Sequence, residues 1–336
     1  MKSTVWRQAW RWLPGVLISI IALIVLFRMV SWQELVGSFS SLTPLVGLAA
    51  VLMTVFSAMA RTQAWRILLG SRVKFWRSFY MLNIGFMLNN LLPLRVGEVG
   101  RAVLMGRSSG QGTFHVLSTI VIERTYDLVV IAGMLLTTLP LVLGINWARP
   151  FAIGVMGAML LGLFCLHLLA RYKQKVGGWI TKISERSPLV RRVVVPRIGS
   201  LLDGLEALTS LRKMVESVFW ILITWLFYNA VTFVVLADFV PQPPFWWALF
   251  LNGAVALGVA VPAAPGGVGV YEASVVGALS VLQISTSQAL AFALVIHLLN
   301  WITTFLMGIV GLTQLGYSFS DLTSGIQSSD PSASNQ

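Results

Sequence analysis

"NNLLPLRVGEVGRAVLM", residues 89–105, follows an apolar run that is ready to cross a membrane. A single helix through it fails on two counts. Pro93 removes a backbone donor and disfavours helix at Leu92. Arg95, Glu98 and Arg101 would each cost about 2.5 to 3.5 kcal/mol near the bilayer centre. Facing lipid, the three together would cost roughly 8 to 10 kcal/mol, comparable with the stability of a whole domain. The stretch is therefore expected to enter partway, turn at "PLRVG", and either return or restart as a second short helix. Irregular backbone at membrane depth is tolerated only where protein or water surrounds it, so the segment should line a cavity.

The rest of the chain makes the membrane setting secure. Of 336 residues, 57% are hydrophobic and 11% charged, against a charged share of about 25% in soluble domains. Apolar runs cover roughly 13–30, 43–60, 78–92, 114–144, 151–170, 214–237, 245–261, 267–284 and 287–315, several of them near the length of about 20 residues that spans hydrocarbon. The expected fold is all-α, a polytopic helical membrane protein forming a single domain over 1–318. A polar, Ser-rich tail over 319–336 is expected to be disordered. The net charge of +12 reads as basic cytoplasmic loops rather than nucleic-acid binding. Loop 31–42 carries Glu34 and no base, whereas 61–77 carries Arg61, Arg66, Arg72, Lys74 and Arg77, which places the first outside and the second inside. The basic loop 171–213 is cytoplasmic on the same ground. Within it, Ile198, Leu201, Leu202, Leu205, Leu208 and Leu211 share one face of an interfacial helix. The run from Leu13 to Val30 follows Lys2, Arg7 and Arg11 without a cleavage site and reads as a retained anchor with a cytoplasmic N-terminus. The one cysteine, Cys165, permits no internal disulfide.

A second break lies in "ALGVAVPAAPGGVGVYEASVVGAL", residues 256–279. Pro93-Leu94-Arg95-Val96-Gly97 aligns with Pro265-Gly266-Gly267-Val268-Gly269, and each break is followed by a carboxylate, Glu98 or Glu272. Paired Gly/Pro-interrupted segments in two halves point to a midplane site between inverted repeats. Tight packing between membrane helices would use the same glycines Gly266, Gly267 and Gly269. A helix starting near Val96 would aim its positive end into the cavity, and Arg95 and Arg101 would add to the attraction for an anion. Arginine's planar fork suits phosphate. Asn83 and Asn90 form a polar stripe leading to the break. In "VIERTYDLVV", Glu123 and Asp127 share a helix face and repel. Arg124 can answer one, and Arg95 or Arg101 the other, either as a fixed salt-bridge network or in contact with substrate. His297, Asn300 and Trp301 share one face of the last helix, where His297 reads either as packing or as a proton carrier.

No zinc-type His/Cys spacing, nucleophile elbow, P-loop or dinucleotide fingerprint is present, so no cofactor or metal is expected. "R-x-x-x-W" at Arg61 to Trp65, "NNLLPLRVGEVGRA" at 89–102, "ERTYD" at 123–127 and "PAAPGGVGVYEA" at 262–273 resemble, in order and spacing, the lysylphosphatidylglycerol synthase transmembrane family, also called flippase-like. The resemblance implies a stand-alone membrane domain of the bacterial cytoplasmic membrane, without the soluble synthase domain of bifunctional members. It also implies a flippase that moves a phosphate-bearing lipid, anionic or aminoacylated, or a lipid-linked glycan. The residues expected at the substrate are Asn90, Arg95, Glu98, Arg101, Glu123, Arg124, Asp127, Gly266, Gly267, Glu272 and His297. Two alternatives stand beside this reading. One is a non-transporting subunit that anchors or activates a lipid- or glycan-synthesis enzyme, and the other is an intramembrane transferase using Glu98 or Glu272 as base. Oligomeric state is left open.

Overall fold

The computed structural model of the chain describes residues 17–26, 28–29, 32–39, 42–70, 73–92, 96–143, 148–175, 178–179, 203–204, 208–260 and 264–317. Arg95, most of the 198–211 amphipathic stretch and the 319–336 tail lie outside these residues. Among the described residues the regular elements are all helical. They are α1 (Leu17–Leu26), α2 (Trp32–Phe39), α3 (Pro44–Leu69), α4 (Phe75–Leu91), α5 (Val96–Ser109), α6 (Thr113–Leu143), α7 (Ala148–Arg171), α8 (Leu211–Phe239), α9 (Trp246–Gly258), a 3-10 turn (Pro265–Gly267), α10 (Val270–Val281) and α11 (Thr286–Leu315).

Among the described residues four helices, α3, α6, α8 and α11, are long and apolar enough to span a membrane. Pro44 opens α3 at a position where its missing N–H costs nothing. Ser210 and Ser285 cap α8 and α11 by accepting from the backbone N–H of Lys213 and Gln288. One expectation needs correction, because 61–77 is not all loop. Helix α3 continues to Leu69 and carries Arg61 and Arg66 within it. Arg61 is tolerated there because two carboxylates meet it, as described below.

The chain order repeats a pattern: long helix, broken pair, long helix. In the first half α3 leads into α4 and α5 and then α6, and in the second α8 leads into α9 and α10 and then α11. Each broken pair is folded back on itself, α4 against α5 and α9 against α10. The first fold-back is drawn tight by two glycines. A methyl group added at Gly97 would lie 2.0 Å from the carbonyl oxygen of Gly85.

The two hairpins enter from opposite faces. Helices α3 and α8 pack against each other in antiparallel sense, with Thr43 N–H donating to Asp238 at one end and Ser57 Oγ donating to the Thr224 carbonyl midway. The hairpin that follows the C-terminal end of α3 therefore begins on the face opposite the one that follows α8. Their tips meet. Gly266 approaches the backbone oxygen of Asn90, and α4 touches the 3-10 turn. Helix α11 runs antiparallel along α4, where Gly308 and Gly311 admit Met87 and the Tyr80 backbone.

Candidate functional site

Two polar assemblies flank the meeting point of the hairpins. The first joins α3, α5 and α6. Glu123 and Asp127, one turn apart on α6, share one cation from α3. Arg61 Nη1 donates to Glu123 Oε1 and Asp127 Oδ2, both at 2.9 Å, and Nη2 to Asp127 Oδ1 at 2.8 Å. Arg101 on α5 donates to both oxygens of Glu123 at 3.2 and 3.4 Å. Its guanidinium lies 4.8 Å from the ring centroid of Trp65, whose Nε1 is held by Thr119. Arg124 completes the set with Asp127 Oδ2 at 2.9 Å and Glu98 Oε1 at 2.9 Å. The second contact lies off the N–H axis, so it is an ion pair rather than a hydrogen bond. Trp225 on α8 donates to Asp127 Oδ1 at 2.9 Å.

Three arginines thus meet three carboxylates, and among the described residues the assembly is electrically neutral. That balance lets six charges lie between membrane helices, since removing any one would strand a partner in a low-dielectric interior. Burial divides the roles. The Arg101 side chain is 1% exposed and gives both terminal nitrogens to Glu123, while its Nε has no partner among the described residues, so it is held inside the network rather than at its open edge. The Arg124 and Glu98 side chains are 31% and 19% exposed. They lie beside the exposed apolar residues Val99, Val121 and Leu128, which makes this pair the open edge of the network.

The second assembly is built on the 3-10 turn, α10 and α11. Gly266, Gly267 and Gly269 all have positive φ, a backbone that places glycine there for conformation rather than for helix packing alone. The turn leaves Glu272 in the first turn of α10, where Oε2 accepts from the Gly269 N–H at 2.6 Å and caps the helix. Its other oxygen lies 2.6 Å from His297 Nδ1, and His297 Nε2 lies 3.0 Å from the Gly266 carbonyl. Tyr271 covers the imidazole, with ring centroids 4.3 Å apart. Ser19 on α1 accepts from the Ala264 N–H and ties the same turn to the first helix. Asn90, at the tip of the other hairpin, donates to Thr304 Oγ1 of α11 at 2.8 Å. Trp301 Nε1, beside Gly266, has no acceptor among the described residues.

Of the residues expected at the site, Glu98, Arg101, Glu123, Arg124 and Asp127 come together in the first assembly, and Gly266, Glu272 and His297 in the second. Asn90 is at the contact between the hairpins, Gly267 only shapes the turn, and Arg95 lies outside the described residues. Among the described residues the two hairpins touch at Asn90 and Gly266. Arg61, Trp65 and Trp225 were not among the expected residues. Arg61 and Trp65 belong to the R-x-x-x-W motif, but a base at the end of an apolar run reads as a loop charge, so Arg61 was not assigned to the site. The unanswered pair Glu123 and Asp127 was the signal that another cation had to reach them.

No curated protein matches the chain. A family model, that of the lysylphosphatidylglycerol synthase TM region, matches residues 12–308. The two broken hairpins, the "ERTYD" charge network and the glycine-rich second turn all lie inside that match, and the chain belongs to the lysylphosphatidylglycerol synthase transmembrane family.

Proposed function

We propose that the protein is a lipid translocase that passes a phosphate-bearing headgroup across the membrane by way of the junction between its two hairpins. The observation that carries the reading is the Arg124–Glu98 pair. It is the partly exposed edge of an otherwise buried ionic network, and it lies in a seam between α5 and α6 whose outer residues are apolar. A headgroup can reach such a seam sideways while its acyl chains stay in hydrocarbon. Arg124 keeps Nη1 on Asp127, and its Nε, which makes no hydrogen bond in the pair with Glu98, is the donor that a phosphate can take up there.

Charge balance sharpens the substrate class. A phosphate that displaced Glu98 from Arg124 would leave that carboxylate unpaired at membrane depth. A headgroup carrying an ammonium as well as a phosphate answers both partners and keeps the network neutral. Aminoacylated or amine-bearing phospholipids are therefore the preferred cargo over purely anionic ones. The family's name points to the same lipid class.

The test is leaflet exchange in liposomes containing the purified protein, with fluorescent amine-bearing and plain anionic phospholipids compared. Wild type should speed exchange of the amine-bearing lipid more. Glu98→Gln should narrow the difference between the two lipids, and Arg124→Gln should slow both. Equal rates for wild type, Glu98→Gln, Arg124→Gln and protein-free vesicles would overturn the reading.

A further inference from the structure

His297 faces two acceptors, and that arrangement is short of one proton. A neutral imidazole carries one N–H and one lone pair. Here Nδ1 lies 2.6 Å from Glu272 Oε1 and Nε2 lies 3.0 Å from the Gly266 carbonyl oxygen. With Glu272 ionised and His297 neutral, one of the two contacts must set lone pair against lone pair, whichever tautomer is drawn. One added proton resolves both contacts. Either the imidazolium donates to both acceptors, or Glu272 as a carboxylic acid donates to Nδ1 while Nε2–H donates to Gly266. In both arrangements the pair is neutral overall, as its near-complete burial favours.

We propose that Glu272 and His297 together form a binding site for one proton, and that the bound proton locks the turn of the second hairpin onto α11. Losing the proton forces the ring to abandon one acceptor. Glu272 is fixed from its other side by the Gly269 N–H at 2.6 Å, so the Gly266 carbonyl is the contact released. Gly266 is also the residue that meets Asn90 at the tip of the first hairpin, so its release loosens the junction between the hairpins.

The surroundings suit a proton rather than a larger ion. Among the described residues the neighbours are neutral: Tyr271 over the ring, Ser19 of α1 on the turn, Asn90 of α4 beside Gly266, and Asn300 and Trp301 on α11. Tyr271 also lines a small cavity of about 10 Å³ with Thr54, Tyr228, Thr232 and Asn300 and the apolar Val231, Ile296 and Leu299, close to the room that one water needs.

Neither half of the test measures lipid movement, so its failure and the failure of the transport reading are separable. The chain holds three histidines, which makes labelled-histidine nitrogen NMR in phospholipid nanodiscs tractable, with His297 assigned by its loss in His297→Gln. In the wild type at neutral pH, one of two results is expected. His297 bears protons on both nitrogens, or infrared spectra show a protonated carboxyl that Glu272→Gln removes. The second half is hydrogen exchange over residues 264–272 between about pH 5 and 9, a window that spans the ordinary imidazole range of about pH 5 to 8. Glu272→Gln imitates the protonated acid, because its amide N–H can donate to Nδ1. At high pH its exchange should be at least about tenfold slower than wild type, and the two should converge at low pH. A neutral His297 beside an ionised Glu272 at neutral pH, or identical exchange in the two proteins throughout, would overturn the proposal.

Discussion

Replacing Arg61 tests whether the first assembly is held together by charge balance. Arg61 supplies three hydrogen bonds to Glu123 and Asp127, and the three side chains lie almost wholly inside the protein. Arg61→Met removes one of three cations from a neutral set and leaves an uncompensated carboxylate at depth. Breaking a buried pair in this way costs about 3 to 5 kcal/mol. Asp127→Asn is expected to cost a similar amount, for the opposite reason of a stranded cation. The double variant restores neutrality, with Arg101 and Arg124 facing Glu98 and Glu123. It should be more stable than the sum of the single changes by about 2 to 3 kcal/mol. Arg124→Gln, at the open edge, should cost less than Arg61→Met. Unfolding in mixed detergent and SDS micelles, followed by circular dichroism, gives the four stabilities. Additivity within about 0.5 kcal/mol, or a native-like Arg61→Met single variant, would refute the balanced-network account.

Gly97→Ala forces its new methyl against the Gly85 carbonyl and should cost about 1 to 3 kcal/mol, whereas Gly154→Ala meets nothing within 4 Å and should be neutral; thermal unfolding in detergent separates the two. In a Cys165→Ser background, thiols introduced at Lys74 and Pro244, before the two hairpins, should react with an impermeant maleimide from opposite faces of sealed vesicles. Labelling of both from one face would remove the inverted arrangement. Asn252 joins the Asn229 Oδ1 and Thr232 Oγ1 atoms between α9 and α8, so Asn252→Leu should cost about 1 to 3 kcal/mol by leaving buried polar atoms unpaired. Adding Thr232→Val should recover part of that loss in the same unfolding measurement.

The breaks were legible from sequence because each carries a local contradiction: proline and charge in the first, clustered glycine and proline in the second. The long helices were legible from their apolar length, and their observed ends fall within a few residues of the expected ones except at α3. There Arg61 and Arg66 were assigned to a loop, because hydropathy scores a charge without knowing whether a partner will meet it. The partner of Arg61 is 62 to 66 residues away on α6, a separation no local pattern records. The same limit hid the pairing of Glu98 with Arg124 and the placement of Arg101 beneath Trp65. Residue type and depth could be read, whereas the choice among several cations for each carboxylate needed the packing of α3, α5 and α6.

The two halves place a carboxylate at the same point and then treat it differently. Glu98 is the third residue of α5 and Glu272 the third of α10, each in the first turn after a break, where the positive helix end favours an anion. In the first half the partner is the guanidinium of Arg124. In the second it is His297, whose charge depends on one proton. A change of proton occupancy therefore acts on one hairpin and leaves the other set. Because Asn90 and Gly266 meet at the tips, release of the second turn alters the contact from one side only. Under the proposed proton lock and transport reading, hairpins that begin on opposite faces and respond unequally to protons supply the asymmetry that directional movement through the junction requires.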